Sequence, residues 1–341
     1  MRAIGYQDSL PIDDPRSLVD IELPKPEPTG RDILVEVRAI SVNPVDAKVR
    51  RRAKPEAGAW KVLGWDAAGT VVGVGAKVEA FKPGDDVFYA GAIGRPGANA
   101  QFHLVDERIV GRKPASLDWA QAAALPLTAI TAWEMLFDRL EVRRPAPGGA
   151  PALLIIGGAG GVGSIAVQLA RRLTDLSVIA TASRPETREW ALALGAHHVV
   201  DHATPLAAEV AALGLGAPCF VFSTTNTGSH LQEIAQLIAP QGRFGLIDDP
   251  PGLDVNPFKG KSVSVHWESM FTRSTFETPD MGAQGALLGE VSRLVDEGVI
   301  RTTLSERFGA INAENLRRAH ALIESGRAKG KIVLEGFEAR A

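Results

Sequence analysis

The sequence predicts an α/β protein of two domains: a barrel-like domain of short strands, then a doubly wound parallel sheet with helices between its strands. Three observations predict it. Residues 1 to about 125 read as short strands separated by Pro and Gly. From residue 150 onward strands and helices alternate. Where that alternation begins, the apolar run Leu153–Ile156 passes through Gly158-x-Gly160-x-x-Gly163 into an Ala-rich segment of helical spacing.

In chain order, Ile33–Ile40 alternates in part at the strand period, and Ala67–Val74 is a second β-rich run. Lys82-Pro-Gly-Asp-Asp86 is a turn, followed by the apolar Val87–Ala90 and the short Gln101–Val105. The texture changes at Leu117. Asp118–Ala124 is helical, Pro126 interrupts it, and Thr128–Leu136 resumes it. After the loop 145–149 come the strand Leu153–Ile156 and the strand Ser177–Thr181. A helix Glu186–Leu194 follows Pro185 and ends at Gly195, as Pro and Gly favour. Then come the strand His198–Val200, helix Leu206–Leu213, strand Phe220–Ser223, helix His230–Ile238 and strand Arg243–Ile247. Beyond about residue 266 the rhythm breaks: helices at Gln284–Asp296 and Asn312–Ser325 precede a last strand, Lys331–Leu334.

Composition narrows the function classes. A chain of 341 residues is long for one core. A net charge of −3 gives no reason to expect nucleic acid or an anionic membrane as partner. Arg50-Arg51-Arg52 reads as a solvated loop face. No apolar run reaches a membrane span, and the start lacks a charged segment followed by an apolar one, so the cytoplasm is the expected compartment. The one cysteine, Cys219, rules out an intrachain disulfide and reads as a reduced core residue. No GxSxG elbow supports hydrolase chemistry.

The glycine motif carries the chemistry. Gly158 permits the tight turn, Gly160 lets a pyrophosphate approach the backbone, and Gly163 lets the helix pack closely on the strand. Gly161 and Val162 complete the turn, and phosphates would rest on N–H groups at the positive end of the helix. An acid about 20 residues beyond the motif would hydrogen-bond the ribose of NAD. Here the second strand ends Thr181-Ala-Ser183-Arg184, with no acid at its tip. Ser183 offers a hydroxyl and Arg184 a cationic fork for a 2′-phosphate, so NADPH is the expected cofactor. Glu186, nearby, sits in a first helical turn that favours an acid on dipole grounds alone.

These stretches resemble the medium-chain dehydrogenase/reductase superfamily, in its zinc-free quinone oxidoreductase branch. The resemblance rests on Ser41–Asp46, Gly64–Gly69, Phe81–Asp85, Ala123–Trp133 and Gly157–Gly163. The start resembles a subgroup labelled zinc-binding alcohol dehydrogenase-like. What it implies is a GroES-like β-barrel catalytic domain at 1–125, completed by 267–341, and a Rossmann dinucleotide-binding domain at 126–266, with the active site in the cleft between them. It further implies that Lys331–Leu334 returns to the barrel, and that Ser262–His266 is an edge strand through which a homodimer forms.

By the same resemblance, the zinc ligands of metal-dependent relatives fall at Asn43, Trp65 and Leu127. An amide is a poor ligand, an indole N–H only donates, and Leu has no lone pair, so no metal is expected. His197, His198 and His202 lack ligand spacing and read as surface or loop residues. The candidate catalytic residues are Asn43, donating an amide N–H to a developing oxyanion, and Thr128, orienting the nicotinamide. Asp46 and Asp66 read as structural, and Tyr89 as a proton donor or a packed ring. The expected reaction is NADPH-dependent, zinc-independent hydride transfer to quinones or α,β-unsaturated carbonyls. A zinc-type alcohol dehydrogenase and a non-catalytic NADPH-binding protein stay open as alternatives.

Overall fold

The computed structural model describes residues 1–144 and 146–337. Of the expected loop at 145–149, Pro145 lies outside the described residues. Contacts divide the chain into two units: residues 1–130 with the segment from Phe271 onward, and Thr131–Met270. The sequence reading drew the edges at 125 and 266; the first division falls instead within a continuous helix, and the second just beyond a strand end.

The first unit holds β1 (Arg2–Tyr6), β2 (Val19–Glu22), β3 (Asp32–Val42), α1 (Pro44–Arg52), β4 (Lys61–Val62), β5 (Ala67–Val74), β6 (Asp86–Tyr89), β7 (Phe102–Asp106), β8 (Val110–Arg112) and α2 (Trp119–Ala123). Helix α3 (Pro126–Trp133) carries the division. The second unit holds β9 (Ala150–Ile156), α4 (Gly161–Leu173), β10 (Ser177–Thr181), α5 (Pro185–Ala193), β11 (His198–Val200), α6 (Leu206–Ala212), β12 (Pro218–Ser223), α7 (Thr227–Leu237), β13 (Arg243–Leu246) and β14 (Ser264–Trp267). The chain then returns to the first unit with α8 (Thr272–Thr275), α9 (Ala283–Asp296), β15 (Leu304–Arg307), α10 (Ala313–Glu324) and β16 (Lys331–Glu335).

In the first unit β3 is the central strand. It pairs with β7 through residues 32–36, with β5 through 33–40 and with β16 through 39–42. Two register shifts against β5 bend it, as bulges do, so one strand serves three neighbours. The sheet runs β15-β16-β3-β5-β6-β8, and a second sheet runs β2-β1-β4. Strand β16 pairs antiparallel with β3, Ile332 opposite Val42, so the last strand joins the first unit as the resemblance implied.

The second unit is a wholly parallel sheet in the order β11-β10-β9-β12-β13-β14. The order reverses between β9 and β12, the switch point at which such sheets bind ligands. The buried faces of Leu154, Ile156, Ile179, Val221, Phe244 and Leu246 form its core with the helices. Together the two units have the fold class the sequence predicts.

Pro126 separates α2 from α3, as expected, and opens α3, where its missing N–H has no intrahelical partner to lose. Two local expectations change. The helix expected to run to Leu136 becomes a π-helical turn at Glu134–Arg139. That turn packs tightly on β13: a Cβ on Gly245 would meet Met135 Sδ at 2.2 Å. The Arg triplet is not a solvated loop. It is the last turn of α1, and Arg50 is fully buried, its guanidinium held by the Leu10 carbonyl and Glu324.

Burial beside Arg50 sets a pH dependence. His320 of α10 is fully buried with neither ring nitrogen hydrogen-bonded, and burial plus the Arg50 charge push it from 6.5 down to about 3. Between those values the unfolded chain binds a proton that the folded chain refuses. Stability therefore falls as pH drops below 6.5, by about 1.4 kcal/mol per pH unit for this group. His103, pushed down to about 4, acts in the same direction. His320→Leu should flatten the fall in Tm between pH 6.5 and 4 in thermal melts; an unchanged slope would take His320 out of that titration.

Candidate functional site

In the second unit the glycine turn leaves the C-terminal end of β9. Gly157 carries the left-handed backbone of the turn, at φ +81°. Gly158, assigned that job from the sequence, does a different one: a Cβ there would stand 2.6 Å from the Ala180 Cβ on β10. At Gly163 a Cβ would meet the Gly157 carbonyl oxygen at 2.2 Å, so α4 crosses the strand end at a distance only glycine allows. Gly160 is the N-cap of α4, and a Cβ there would find nothing nearer than the Gly157 oxygen at 3.4 Å. Its face is therefore open to an approaching group. The first-turn N–H groups at Gly161, Val162 and Gly163 have no intrahelical acceptors. A pyrophosphate fits this cradle on backbone geometry alone.

The tip of β10 lies against that turn. The Gly157 N–H donates to Thr181 Oγ1 at 3.0 Å and the Gly158 N–H to the Thr181 carbonyl at 3.1 Å. His202 Nδ1 lies 3.0 Å from the same hydroxyl. Ser183 is exposed, and Arg184 is the N-cap of α5. Arg184 Nε stands 3.2 Å from Glu186 Oε1, with side chains 40% and 54% exposed. An ion pair that exposed is weak, so a phosphate dianion competes well for the guanidinium. Of the other histidines, exposed His197 accepts the Val178 N–H through Nδ1, and His198 is half-buried on β11.

In the first unit four segments converge on Asp66, which is fully buried. Its Oδ1 accepts the Leu127 N–H at 2.7 Å, fixing the first turn of α3. Its Oδ2 accepts Asn43 Nδ2 at 2.8 Å and lies 3.0 Å from Lys331 Nζ. Lys331 Nζ also donates to the Val42 carbonyl at 2.9 Å and to Asn43 Oδ1 at 2.5 Å. An ammonium has three hydrogens, and here each has an acceptor. Because Lys331 can only donate and a carboxylate only accepts, the orientation of the Asn43 amide follows from charge. Asp46 Oδ2 accepts the Asn43 backbone N–H at 2.8 Å, closing the entry to α1. Burial pushes the Asp46 carboxyl up to about 7, with Lys331 pulling the other way. Burial likewise raises Asp66, against the pull of Lys331 and its N–H donors.

Both amide hydrogens of Asn43, read as a donor to an oxyanion, are engaged in this structure. One amide hydrogen goes to Asp66 and the other to the Trp65 carbonyl at 3.3 Å, and the residue is 1% exposed. In this state it has no N–H to offer an oxyanion. Thr128 is buried one residue beyond Leu127; its hydroxyl donates to the Leu125 carbonyl at 3.1 Å and keeps its acceptor capacity. Trp65 is buried, its indole donating to the Ala92 carbonyl at 3.3 Å. Tyr89 is a packed ring: it stacks on His103, and its hydroxyl lies 3.0 Å from His103 Nδ1. His103 Nε2 faces the Pro96 carbonyl, which can only accept, so Nδ1 takes the tyrosine proton's hydrogen bond. Burial raises the Tyr89 hydroxyl further from titration.

These donors do not fit the zinc that metal-dependent relatives hold by the resemblance above. An amide already spent on a lysine, a buried indole N–H and an alkyl chain present no ligand set, and a buried ammonium occupies the amide oxygen. Among the described residues no group of three His, Cys, Asp or Glu side chains is placed to hold a metal ion. Sequence reasoning missed Lys331, because only the pairing of β16 with β3 brings it to Asn43. It also missed a buried carboxyl pair of the second unit. Glu268, just past the C-terminal end of β14, pairs with Arg139 at 2.8 Å and contacts Glu134 of the π-helical turn. Burial first, then the Glu134 charge, push the Glu268 carboxyl up, with Arg139 pulling the other way.

Comparison with known proteins gives these two units a family. The alcohol dehydrogenase GroES-like domain model matches residues 29–115, and the zinc-binding dehydrogenase model matches residues 194–334. A zinc-type alcohol dehydrogenase-like protein of Staphylococcus aureus is 39% identical over 336 residues, which are 98% of this chain and 99% of that one. A Pseudomonas aeruginosa quinone oxidoreductase is 31% identical over 313 residues, 90% of this chain and 92% of that one. A solved structure from Rhizobium etli, provisionally named a zinc-dependent alcohol dehydrogenase, is 69% identical with a TM-score of 0.98 and covers 99% of both chains. With its GroES-like unit, parallel sheet and glycine turn, the chain belongs to the medium-chain dehydrogenase/reductase superfamily of oxidoreductases, in the zinc-binding alcohol dehydrogenase-like branch.

Proposed function

We propose that this oxidoreductase transfers hydride from NADPH to quinones or α,β-unsaturated carbonyls without a metal. The observation that carries the reading is that Asn43, Trp65 and Leu127 offer no ligand set, while the Asn43 oxygen and the neighbouring Asp66 are already engaged by Lys331. Alcohol oxidation in zinc enzymes depends on the metal lowering the pKa of the bound alcohol, and no residue here replaces it. A conjugated acceptor spreads the developing charge, so a few hydrogen bonds suffice. The P. aeruginosa quinone oxidoreductase supports this reading; the zinc-type names of the S. aureus and R. etli proteins favour an alcohol dehydrogenase instead.

The cofactor supplies the hydride. The residues proposed to hold it are the glycine turn, Gly158, Gly160, Gly161, Val162 and Gly163, and the β10 tip, Ser183 and Arg184. Thr128, its hydroxyl oxygen still able to accept, is proposed to orient the nicotinamide carboxamide. Asn43 serves as a strut for the acceptor side. Its longer bond, to the Trp65 carbonyl at 3.3 Å, is the one it can yield to a substrate oxygen. Strand β14 ends the sheet as an open edge, with Trp267 beside it 52% exposed. We propose that two copies pair there, since an unprotected edge invites a partner strand. Among the described residues no helix is long and apolar enough to cross a membrane, and the proposed compartment is the cytoplasm.

Three outcomes are expected. Arg184→Ala should raise the Michaelis constant for NADPH and leave that for NADH nearly unchanged, a loss of about 2 kcal/mol from charge-assisted hydrogen bonds; equal losses with both would remove Arg184 from the phosphate site. Purified protein should reduce quinones or enones at rates that chelators do not alter. Stoichiometric zinc together with chelator-sensitive oxidation of simple alcohols would establish the alcohol dehydrogenase reading in its place. Sedimentation at micromolar concentration should give a dimer, and a charge introduced by Val265→Lys should weaken it; monomer alone in the unmodified protein would refute the pairing.

A further inference from the structure

We infer that Lys331 is the fixed cation of the first unit's site, a positioning residue that orients Asn43 directly and the first turn of α3 through Asp66. The inference rests on the proposed reduction for its catalytic readout.

The ammonium is 3% exposed, and its three acceptors come from two places in the sequence: the consecutive Val42 and Asn43, where β3 passes into α1, and Asp66, the residue before β5. Its saturation matters. With no hydrogen left over, Lys331 cannot act as a general acid or touch an acceptor oxygen, so its effect passes through the groups it holds. The first of these is the Asn43 amide. An asparagine amide is nearly symmetric in shape, so its hydrogen-bond partners decide which end is which. The ammonium at Oδ1 and the carboxylate at Nδ2 leave one orientation. The second is Asp66, whose other oxygen receives the Leu127 N–H and so places Thr128, the next residue on α3.

The same arrangement works against a divalent ion. A metal entering among Asn43, Asp66 and Asp46 would have to displace a buried charge already matched by three hydrogen bonds. Arginine would be a poor replacement, because its donors diverge from a planar fork, whereas these acceptors converge on one nitrogen.

The test combines kinetics, stability and metal response. Lys331→Met, Asn43→Ala and the double variant are compared for kcat with an enone, for KM, and for NADPH affinity by fluorescence titration. Lys331→Met should lower kcat tenfold or more with NADPH affinity within twofold, because the glycine turn and the β10 tip proposed to hold the phosphates lie in the other unit. Adding Asn43→Ala to it should cost no more than a further twofold, since Lys331 acts through Asn43. Multiplicative losses, or an undiminished kcat in Lys331→Met, would overturn the inference. Should Lys331→Met not fold, Lys331→Arg, which keeps the charge, should fold and still lose kcat; full activity in it would overturn the inference as well. If the unmodified protein reduces none of the acceptors, the proposed function fails, and two further measurements decide the role of Lys331. Zn²⁺ should leave the Tm of the unmodified protein unchanged, and Asp66→Asn should recover part of the Tm lost in Lys331→Met. A Zn²⁺-induced rise in Tm, or no recovery in the double variant, would overturn it.

Discussion

The first unit depends on one buried ion pair, Lys331 with Asp66. Both side chains are almost wholly removed from water, with exposures of 3% and 0%. Neither charge is tolerable there alone: breaking such a pair by deleting one member typically costs about 3–5 kcal/mol. What makes it tolerable is saturation. The ammonium has three acceptors, and both carboxylate oxygens receive donors. The cost of burying charge is thereby converted into order. β16, the entry of α1, the approach to β5 and the start of α3 are held together because each supplies part of what the pair requires.

A different constraint organises the second unit: how closely backbones can approach. At Gly158 and Gly163 a single added carbon would meet neighbouring atoms at 2.6 and 2.2 Å. The strand, the turn and the helix therefore meet at distances no side chain permits, and the open side of the turn is left at Gly160. Thr181 fastens this turn to β10 by accepting hydrogen bonds at both its hydroxyl and its carbonyl. The glycine turn and the neighbouring tip carrying Ser183 and Arg184 are therefore one assembly.

Elements were legible in the sequence where one physical rule sufficed. The parallel strands β9, β10, β12 and β13 are continuous apolar runs because helices cover both faces, and such runs announce themselves. The helices α5 and α10 begin and end at residues that cap. Elements escaped where the rule was tertiary. Helix α1 carries a polar sequence ending in three arginines, and its buried Arg50 makes sense only once Glu324 of α10 is beside it. The edge strands β2 and β15 are only four residues each, with half of each exposed, too short to stand out. The π-helical turn after α3 has no sequence signature; its packing partner, Gly245 of β13, lies far along the chain.

The sequence by itself determined the two-unit α/β organisation, the glycine turn, the absence of an acid at the tip of β10, and the unsuitability of Asn43, Trp65 and Leu127 as metal ligands. Each of these follows from the chemistry of residues taken locally. Only the tertiary structure decided what those residues do. Asn43 reads as a free donor in sequence and is a fully engaged strut in the fold. Asp66 reads as a loop carboxylate and is the junction of four segments. Lys331 lies 288 positions from Asn43 and carries no motif of its own. The physical reason is that hydrogen-bond capacity belongs to the residue, but whether it is spent depends on burial and on partners that arrive from distant parts of the chain.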